Sequence, residues 1–201
     1  MPPWTSDFRL AVLLSGSGRT MMNLHARILD GNLPANIHVV VSSRGDVAGV
    51  EKARRAGLCT VVIERKGLSA DAFNDAITRA VEGADLVCMA GFLSLWRIPE
   101  FWRGRVVNIH PALLPEFGGK GMYGHNVHEA VLAARKSESG CTVHFCDNQY
   151  DHGDIILQRR VPVLPSDTTD TLAARVFEQE CIAYPEAVRM LIARGRGNQG
   201  E

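Results

Sequence analysis

Three side chains in this sequence have the types and spacing of a reactive set: Asn108 and His110 in Val106-Val107-Asn108-Ile109-His110-Pro111, and Asp151 in Tyr150-Asp151-His152-Gly153. Arg105 to Ile109 reads as a short buried strand, ended by Pro111, which has no N–H to give to a ladder. Residues two apart on a strand face the same way, so Asn108 and His110 point together beyond its carboxyl end. An amide donor beside an imidazole suits a reaction in which a carbonyl oxygen becomes an oxyanion, the amide stabilising charge and the imidazole handling a proton. Asp151, on a turn ended by Gly153, is the candidate to reach back and orient that imidazole. The competing reading makes Asn108 and His110 a hydrogen-bonding cap on a sheet edge, so the elements around them have to decide.

Arg9 to Leu14 is a continuous apolar run, read as a strand covered on both faces. It enters Ser15-Gly16-Ser17-Gly18-Arg19-Thr20 and then a helix over Met21 to Leu29. Strand, glycine loop and helix form the first half of a phosphate site, because glycines admit close backbone approach and N–H groups at a helix start favour an anion. A plain tight turn is the other reading. A dinucleotide fingerprint is not met: the third glycine is missing, and the next strand, Ile37 to Val41, ends in Ser42-Ser43 where a ribose-binding acid belongs.

A helix over Val47 to Ala56 stopped by Gly57, a strand over Thr60 to Ile63, a helix over Ala70 to Val81 begun by Ser69 and a strand over Asp85 to Ala90 follow. This alternation predicts a mostly parallel, twisted α/β sheet flanked by helices, with ligands beyond the carboxyl ends of the strands. Ala90-Gly91-Phe92-Leu93-Ser94-Leu95-Trp96 bends at a glycine and either walls a pocket for a flat heterocycle or packs into the core. Pro111 to Gly124, with glycines at 118, 119, 121 and 124, reads as a long, exposed, functional loop. His125 and His128 open a helix to Ala134; without a third ligand motif they read as a cap or a solvent-facing pair. Gly140 to Cys146 and Asp154 to Val163 form an antiparallel carboxyl-terminal pair, and Asp167-Thr168-Thr169-Asp170 opens a last helix from Thr171 to about Ala193.

The 201 residues suit one domain, spanning 9–194 between a flexible start at 1–8 and a flexible tail at 195–201. Acidic and basic residues number 22 each, and no basic block stands out, which argues against nucleic acid or an anionic membrane as partner. No apolar run approaches the roughly 20 residues of a membrane span, and no signal-peptide pattern is present, so a cytoplasmic protein is expected. The five cysteines form no C-x-x-C pair and mostly sit in apolar segments, as buried free thiols do.

Together, Ser15-Gly16-Ser17-Gly18, Ala90-Gly91-Phe92, Asn108-Ile109-His110-Pro111-Ala112-Leu113-Leu114-Pro115, Gly140-Cys141-Thr142-Val143-His144-Phe145 and Asp151-His152-Gly153-Asp154-Ile155-Ile156-Leu157-Gln158 resemble the phosphoribosylglycinamide formyltransferases, a folate-dependent formyltransferase family. The similarity runs from about Arg9 to Ile192. It implies a Rossmann-like formyltransferase domain that moves a formyl group from 10-formyltetrahydrofolate, as co-substrate, to the amine of glycinamide ribonucleotide in purine synthesis. It assigns Asn108 as oxyanion donor, His110 as proton donor and Asp151 as support for the imidazolium, with a nearby carboxylate expected to favour the charged ring. Gly16, Ser17, Gly18, Thr20 and Glu180 fall on the family's nucleotide contacts. Met89, Phe92, Leu93, Ser94, Leu95, Trp96, Asn108, Asp147 and Asp151 fall on its folate pocket, and His144 on a histidine near the catalytic group.

The resemblance implies small-molecule substrates, no metal, no nucleic acid or membrane partner, and a monomer or homodimer. Departures from the family pattern are the inserted Arg19, Met21 in place of an amide, Ser94 in place of an arginine, Phe177 at a polar nucleotide position, and the insert Gly119-Lys120-Gly121-Met122-Tyr123-Gly124. Alternatives are a formyltetrahydrofolate hydrolase, expected to carry an added amino-terminal regulatory domain, and a formyltransferase acting on another amine such as a nucleotide sugar. A methionyl-tRNA formyltransferase, expected to add a basic RNA-binding domain, and a nucleotide-binding module without catalysis complete the set.

Overall fold

The computed structural model describes residues 7–197, with side-chain surroundings through Arg194. The stretches expected to be flexible, 1–8 and 195–201, lie outside the described residues except for Asp7, Phe8 and the end of the last helix. The described chain divides into two compact units, one up to Val107 and one from Asn108 onward.

The first unit alternates strands and helices: β1 (Arg9–Leu14), α1 (Arg19–Leu29), β2 (Asn36–Ser42), α2 (Ala48–Arg55), β3 (Thr60–Val62), α3 (Ala70–Ala80) and β4 (Leu86–Met89). The strand order is β3-β2-β1-β4, all parallel, and the Val87 N–H extends the ladder to Arg105, at the entry of β5 (Val106–His110). A parallel sheet covered on both faces demands strands apolar on both sides, and Leu10 to Leu14 are all fully buried. Each large aliphatic side chain hidden there contributes about 1.5–3 kcal/mol. The helices meet this core through single stripes: Met21 and Leu24 on α1, Val50 and Ala53 on α2, Phe73 and Ile77 on α3. Ser69 caps α3 by accepting the Ala72 N–H at 3.1 Å, with Asp71 in the first turn favouring the same end.

In the second unit the order runs β5-β6-β7, with β6 (Glu138–Phe145) and β7 (Ile155–Pro162) antiparallel. β6 starts two residues earlier than the apolar pattern suggests, because Glu138 and Ser139 pair with Pro162 and Val161. Helix α4 (His125–Ala133) precedes this hairpin and α5 (Thr169–Gly197) follows it, packing on both of its strands. α5 also starts earlier than expected: Thr168 and Thr171 bond reciprocally across its first turn, and Asp167 binds Arg175 through two hydrogen bonds at 2.6 and 2.8 Å.

The architecture is therefore α/β, mostly parallel, with an antiparallel carboxyl-terminal pair. Among the described residues no helix is long and apolar enough to cross a membrane. Of the five cysteines only Cys88 and Cys141 are buried; Cys59 is exposed, so the expectation of mostly buried thiols does not hold.

Candidate active site

β5 runs one residue further than the apolar pattern indicates, so His110 is still in the strand and is 3% exposed, while Asn108 is half-buried on the same side. His110 Nε2 lies 2.8 Å from the Phe117 carbonyl, which can only accept, so Nε2 carries a hydrogen. Its other nitrogen, Nδ1, lies 3.5 Å from Asp151 Oδ2. In the neutral ring that nitrogen offers a lone pair to a carboxylate, which accounts for the loose separation; a protonated ring would donate there.

Asp151 reaches this position because the turn before it is tightly specified. Its own backbone is left-handed, at φ 52°. Asp147 accepts the Gln149 N–H and pairs with His152 Nδ1, both at 2.7 Å. A Cβ on Gly153 would fall 2.0 Å from the Phe145 carbonyl, so only glycine closes the turn. The Gly119 N–H then donates to Asp151 Oδ2 at 2.9 Å, tying the glycine-rich loop to the carboxylate.

The start of that loop differs from expectation. Ala112 and Leu114 are buried, held by the Thr142 hydroxyl, which donates to the Ala112 carbonyl at 2.6 Å and accepts the Leu114 N–H at 3.0 Å. Gln158 Nε2 bonds both Thr142 Oγ1 and the Leu114 carbonyl at 2.9 Å. Thr142 and Gln158 were not singled out in the sequence; their signal was their position on neighbouring strands.

His144, 2% exposed, lies on β6 with Nδ1 2.8 Å from the Phe145 carbonyl and Nε2 3.2 Å from Asn108 Nδ2. The same Nε2 is 3.6 Å from Asp151 Oδ1, so the carboxylate sits between two imidazole edges. Asn108, His110, His144 and Asp151 thus converge. Asp147 stands on the same turn as Asp151, and Glu180, on α5, lies near enough to Cys141 for its charge to act on that thiol.

The electrostatics overturn one expectation. Burial pulls the His110 pKa down, and the Asp151 charge and Phe117 carbonyl recover only part of it, so the ring titrates below its ordinary value. Burial pushes the Asp151 carboxyl up, but the His144 and His110 rings, in their protonated forms, and the Gly119 N–H outweigh it and leave the group lowered. Burial, with Glu180 next, drives the Cys141 thiol up to about 12. That thiol stays protonated and unreactive at neutral pH.

His128 also corrects the sequence reading. It is 4% exposed, not solvent-facing, and burial, with the charges of His125 and His110 behind it, lowers its pKa to about 4. Its Nδ1 is buried without a hydrogen-bond partner among the described residues. Its partners on the inner face of α4 are Val127 and Val131, and that spacing was the available signal. His125 is exposed, 3.5 Å from Asp170.

In the first unit the glycine loop is a backbone device. Gly18 is left-handed at φ 70° and caps α1 without a side chain, so Arg19 and Thr20 belong to the helix rather than to the loop. A Cβ on Gly18 would lie 2.7 Å from Gly49 Cα, and the Gly49 N–H bonds the Gly16 carbonyl at 3.0 Å. Lys52 Nζ donates to the exposed Ser17 carbonyl at 3.0 Å. Ser15, buried, joins this loop to the 91–93 bend, accepting the Leu93 N–H at 2.9 Å and sharing a 2.6 Å hydrogen bond with Ser43.

Of the expected pocket wall, Met89, Phe92 and Ser94 are half-buried, and Leu93 and Leu95 are exposed. Trp96 is not a wall: it is 1% exposed, with Nε1 3.2 Å from Thr78 Oγ1 on α3, and its side chain is spent on the core. Among the described residues no group of three or more His, Cys, Asp or Glu is arranged to hold a metal.

Residues 8–188 match the family described as formyl transferase. The chain is 40% identical over 191 residues to the trifunctional purine biosynthetic protein adenosine-3 of Drosophila melanogaster, covering 92% of this chain and 14% of that protein. It spans 14–20% of the length of the first four trifunctional relatives it matches. It is 33% identical to the phosphoribosylglycinamide formyltransferase of Haemophilus influenzae, covering 90% of this chain and 85% of that one. Among solved structures, glycinamide ribonucleotide transformylase 1 from Symbiobacterium toebii superposes with a TM-score of 0.86 at 39% identity, covering 94% of this chain and 89% of the other. With a family match across nearly the whole chain and homologues of matching length, the chain belongs to the formyl transferase family, as a homologue of the phosphoribosylglycinamide formyltransferases.

Proposed function

We propose that the chain transfers a formyl group from 10-formyltetrahydrofolate to the amine of glycinamide ribonucleotide, a step of purine synthesis, with residues 9–194 acting as one formyltransferase domain. The observation that carries this reading is the buried meeting of Asn108, His110 and Asp151, with His110 Nδ1 3.5 Å from the carboxylate. Attack of the amine on the formyl carbon puts negative charge on the formyl oxygen, and an N–H of Asn108 stabilises it. A donor of this kind contributes about 3–4 kcal/mol to the barrier. His110 delivers a proton from Nε2 once the ligand replaces the Phe117 carbonyl, while Asp151 receives the Nδ1 hydrogen of the charged ring. Collapse breaks the bond from the formyl carbon to the folate nitrogen, which leaves carrying the proton from His110, and the proton shed by the amine recharges the ring.

In this reading Gly16, Ser17, Gly18 and Thr20 hold the nucleotide phosphate and Glu180 meets the amine. The glycine cradle of Gly18 and Gly49, which admits no Cβ, suits a backbone anion site. Met89, Phe92, Leu93, Ser94 and Leu95 receive the folate, helped by the Asp147 to Asp151 turn; the exposed apolar side chains of Leu93 and Leu95 suit a flat heterocycle. No metal takes part, and neither nucleic acid nor membrane is a partner. The protein acts in the cytoplasm as a monomer or homodimer.

The test mixes the protein with 10-formyltetrahydrofolate, with and without glycinamide ribonucleotide, and follows the folate product. Turnover only with the nucleotide is expected. Equal turnover without it would assign a formyltetrahydrofolate hydrolase, and turnover only with another amine a different formyltransferase.

A further inference from the structure

His144 and Asn108 share a contact whose direction is decided by a third group. The Phe145 carbonyl, 2.8 Å from His144 Nδ1, has no hydrogen to give, so Nδ1 must carry one. A neutral ring protonated there keeps only a lone pair at Nε2. The group 3.2 Å from that lone pair is the Asn108 amide, which must therefore turn its NH2 toward the ring, since its oxygen would meet the lone pair head-on. One N–H is consumed in this bond; the planar amide then points the other in a single direction, and His144, 2% exposed on β6, has no room to swing away.

We propose that His144 is the positioning residue of the oxyanion donor: as an Nδ1-protonated acceptor it selects the orientation of the Asn108 amide and so aims the remaining N–H at the reacting oxygen. This rests on the formyl-transfer reading of Asn108. A substrate carbonyl would select the same face only once bound; until then the amide, with oxygen and nitrogen faces of nearly equal shape, could present either. Preorganisation by His144 removes that choice before the ligand arrives. The opposite arrangement, a doubly protonated His144 giving its Nε2 hydrogen to Asp151 Oδ1, would flip the amide and put its oxygen against the ring.

Nitrogen-15 NMR of the histidine-labelled protein, with His144 assigned by its loss in His144→Gln, reads the tautomer directly. Protonated Nδ1 with bare Nε2 at neutral pH is expected; a hydrogen on Nε2 overturns the proposal. Kinetics give the second arm. His144→Phe removes the acceptor at similar bulk and should lower kcat by about 10- to 100-fold with KM nearly unchanged, the cost of a misaimed donor. His144→Gln, able to donate to Phe145 and accept from Asn108, should restore kcat to within a few-fold of the wild type. Asn108→Ala should then cost little more in the His144→Phe background. Equal losses in the two His144 variants, or additive losses in the double variant, would overturn it. Should His144→Phe not fold, the tautomer and His144→Gln still decide. Failure of the wild type to transfer formyl would instead remove the reading of Asn108, on which the NMR result does not depend.

Discussion

The unit up to Val107 and the unit from Asn108 offer chemistry of two kinds. In the first, the candidate site is made of backbone: Gly18 at φ 70°, the Gly16 to Gly49 hydrogen bond and the exposed Ser17. In the second it is made of side chains taken out of water, with His110, His144 and His128 each under 5% exposed. A backbone site works by shape and dipole and changes little with pH. A buried ionisable site works by the balance between desolvation and neighbouring charge, and its behaviour can be tuned by either. The comparison teaches that binding of the anion and transfer of the group should fail separately.

The largest expected break is at His110. His110→Ala should lower kcat by about 10²–10⁴-fold while leaving nucleotide affinity near the wild-type value, as measured by turnover and by equilibrium binding. A normal rate would remove the imidazole from the reaction.

Asp151→Asn sharpens the electrostatic half. Asparagine tolerates the left-handed backbone at this position, so the change is chiefly one of charge. Without the carboxylate, only the Phe117 carbonyl still offsets the desolvation that already lowers His110, and its pKa falls further. The charged ring then becomes scarcer near neutrality. The rate at neutral pH should drop by roughly 10- to 100-fold and recover in part toward acid; an unchanged pH profile would count against the pairing.

His128→Leu separates stability from catalysis. The native ring titrates near 4 against an ordinary 6.5, so between those values the unfolded chain binds the proton first and acid favours unfolding. That penalty is absent above the ordinary value, grows as pH falls and levels off near pH 4, reaching up to about 3 kcal/mol. Urea unfolding across this range should show a shallower loss in the variant. The smallest effect belongs to the backbone site: Gly49→Ala places a methyl 2.6 Å from the Gly16 carbonyl and 2.9 Å from Leu14 Cδ1. It should cost about 1–3 kcal/mol of stability and raise KM for the nucleotide, with kcat little changed.

These two kinds of site also differ in how far a sequence reveals them. The glycine loop was legible because its signals are local: the apolar run Leu10 to Leu14, two glycines and a helix in immediate succession. The shared direction of Asn108 and His110 was equally legible from strand periodicity. Asp151 was nominated through the resemblance and a turn signal, because side chains so distant in sequence meet only through the pairing of β6 with β7. Asn108 and His144, 36 residues apart, are a similar case. Core and pocket stayed open alternatives for Trp96 in the sequence because the partner that decides for the core, Thr78, lies 18 residues away on α3. The protonation of His110 was misjudged for a different reason: a carboxylate can be named from sequence, but the depth of burial opposing it cannot.

The Thr142 hydroxyl serves the Ala112 carbonyl, the Leu114 N–H and the Gln158 amide at once. A valine there would match its outline yet strand a donor and an acceptor in the interior, and a serine would give up the methyl that holds its rotamer. Neither half of the Thr142 and Gln158 pair can drift alone without loosening the segment directly after His110. Heritable change at these two positions should therefore come as a joint replacement.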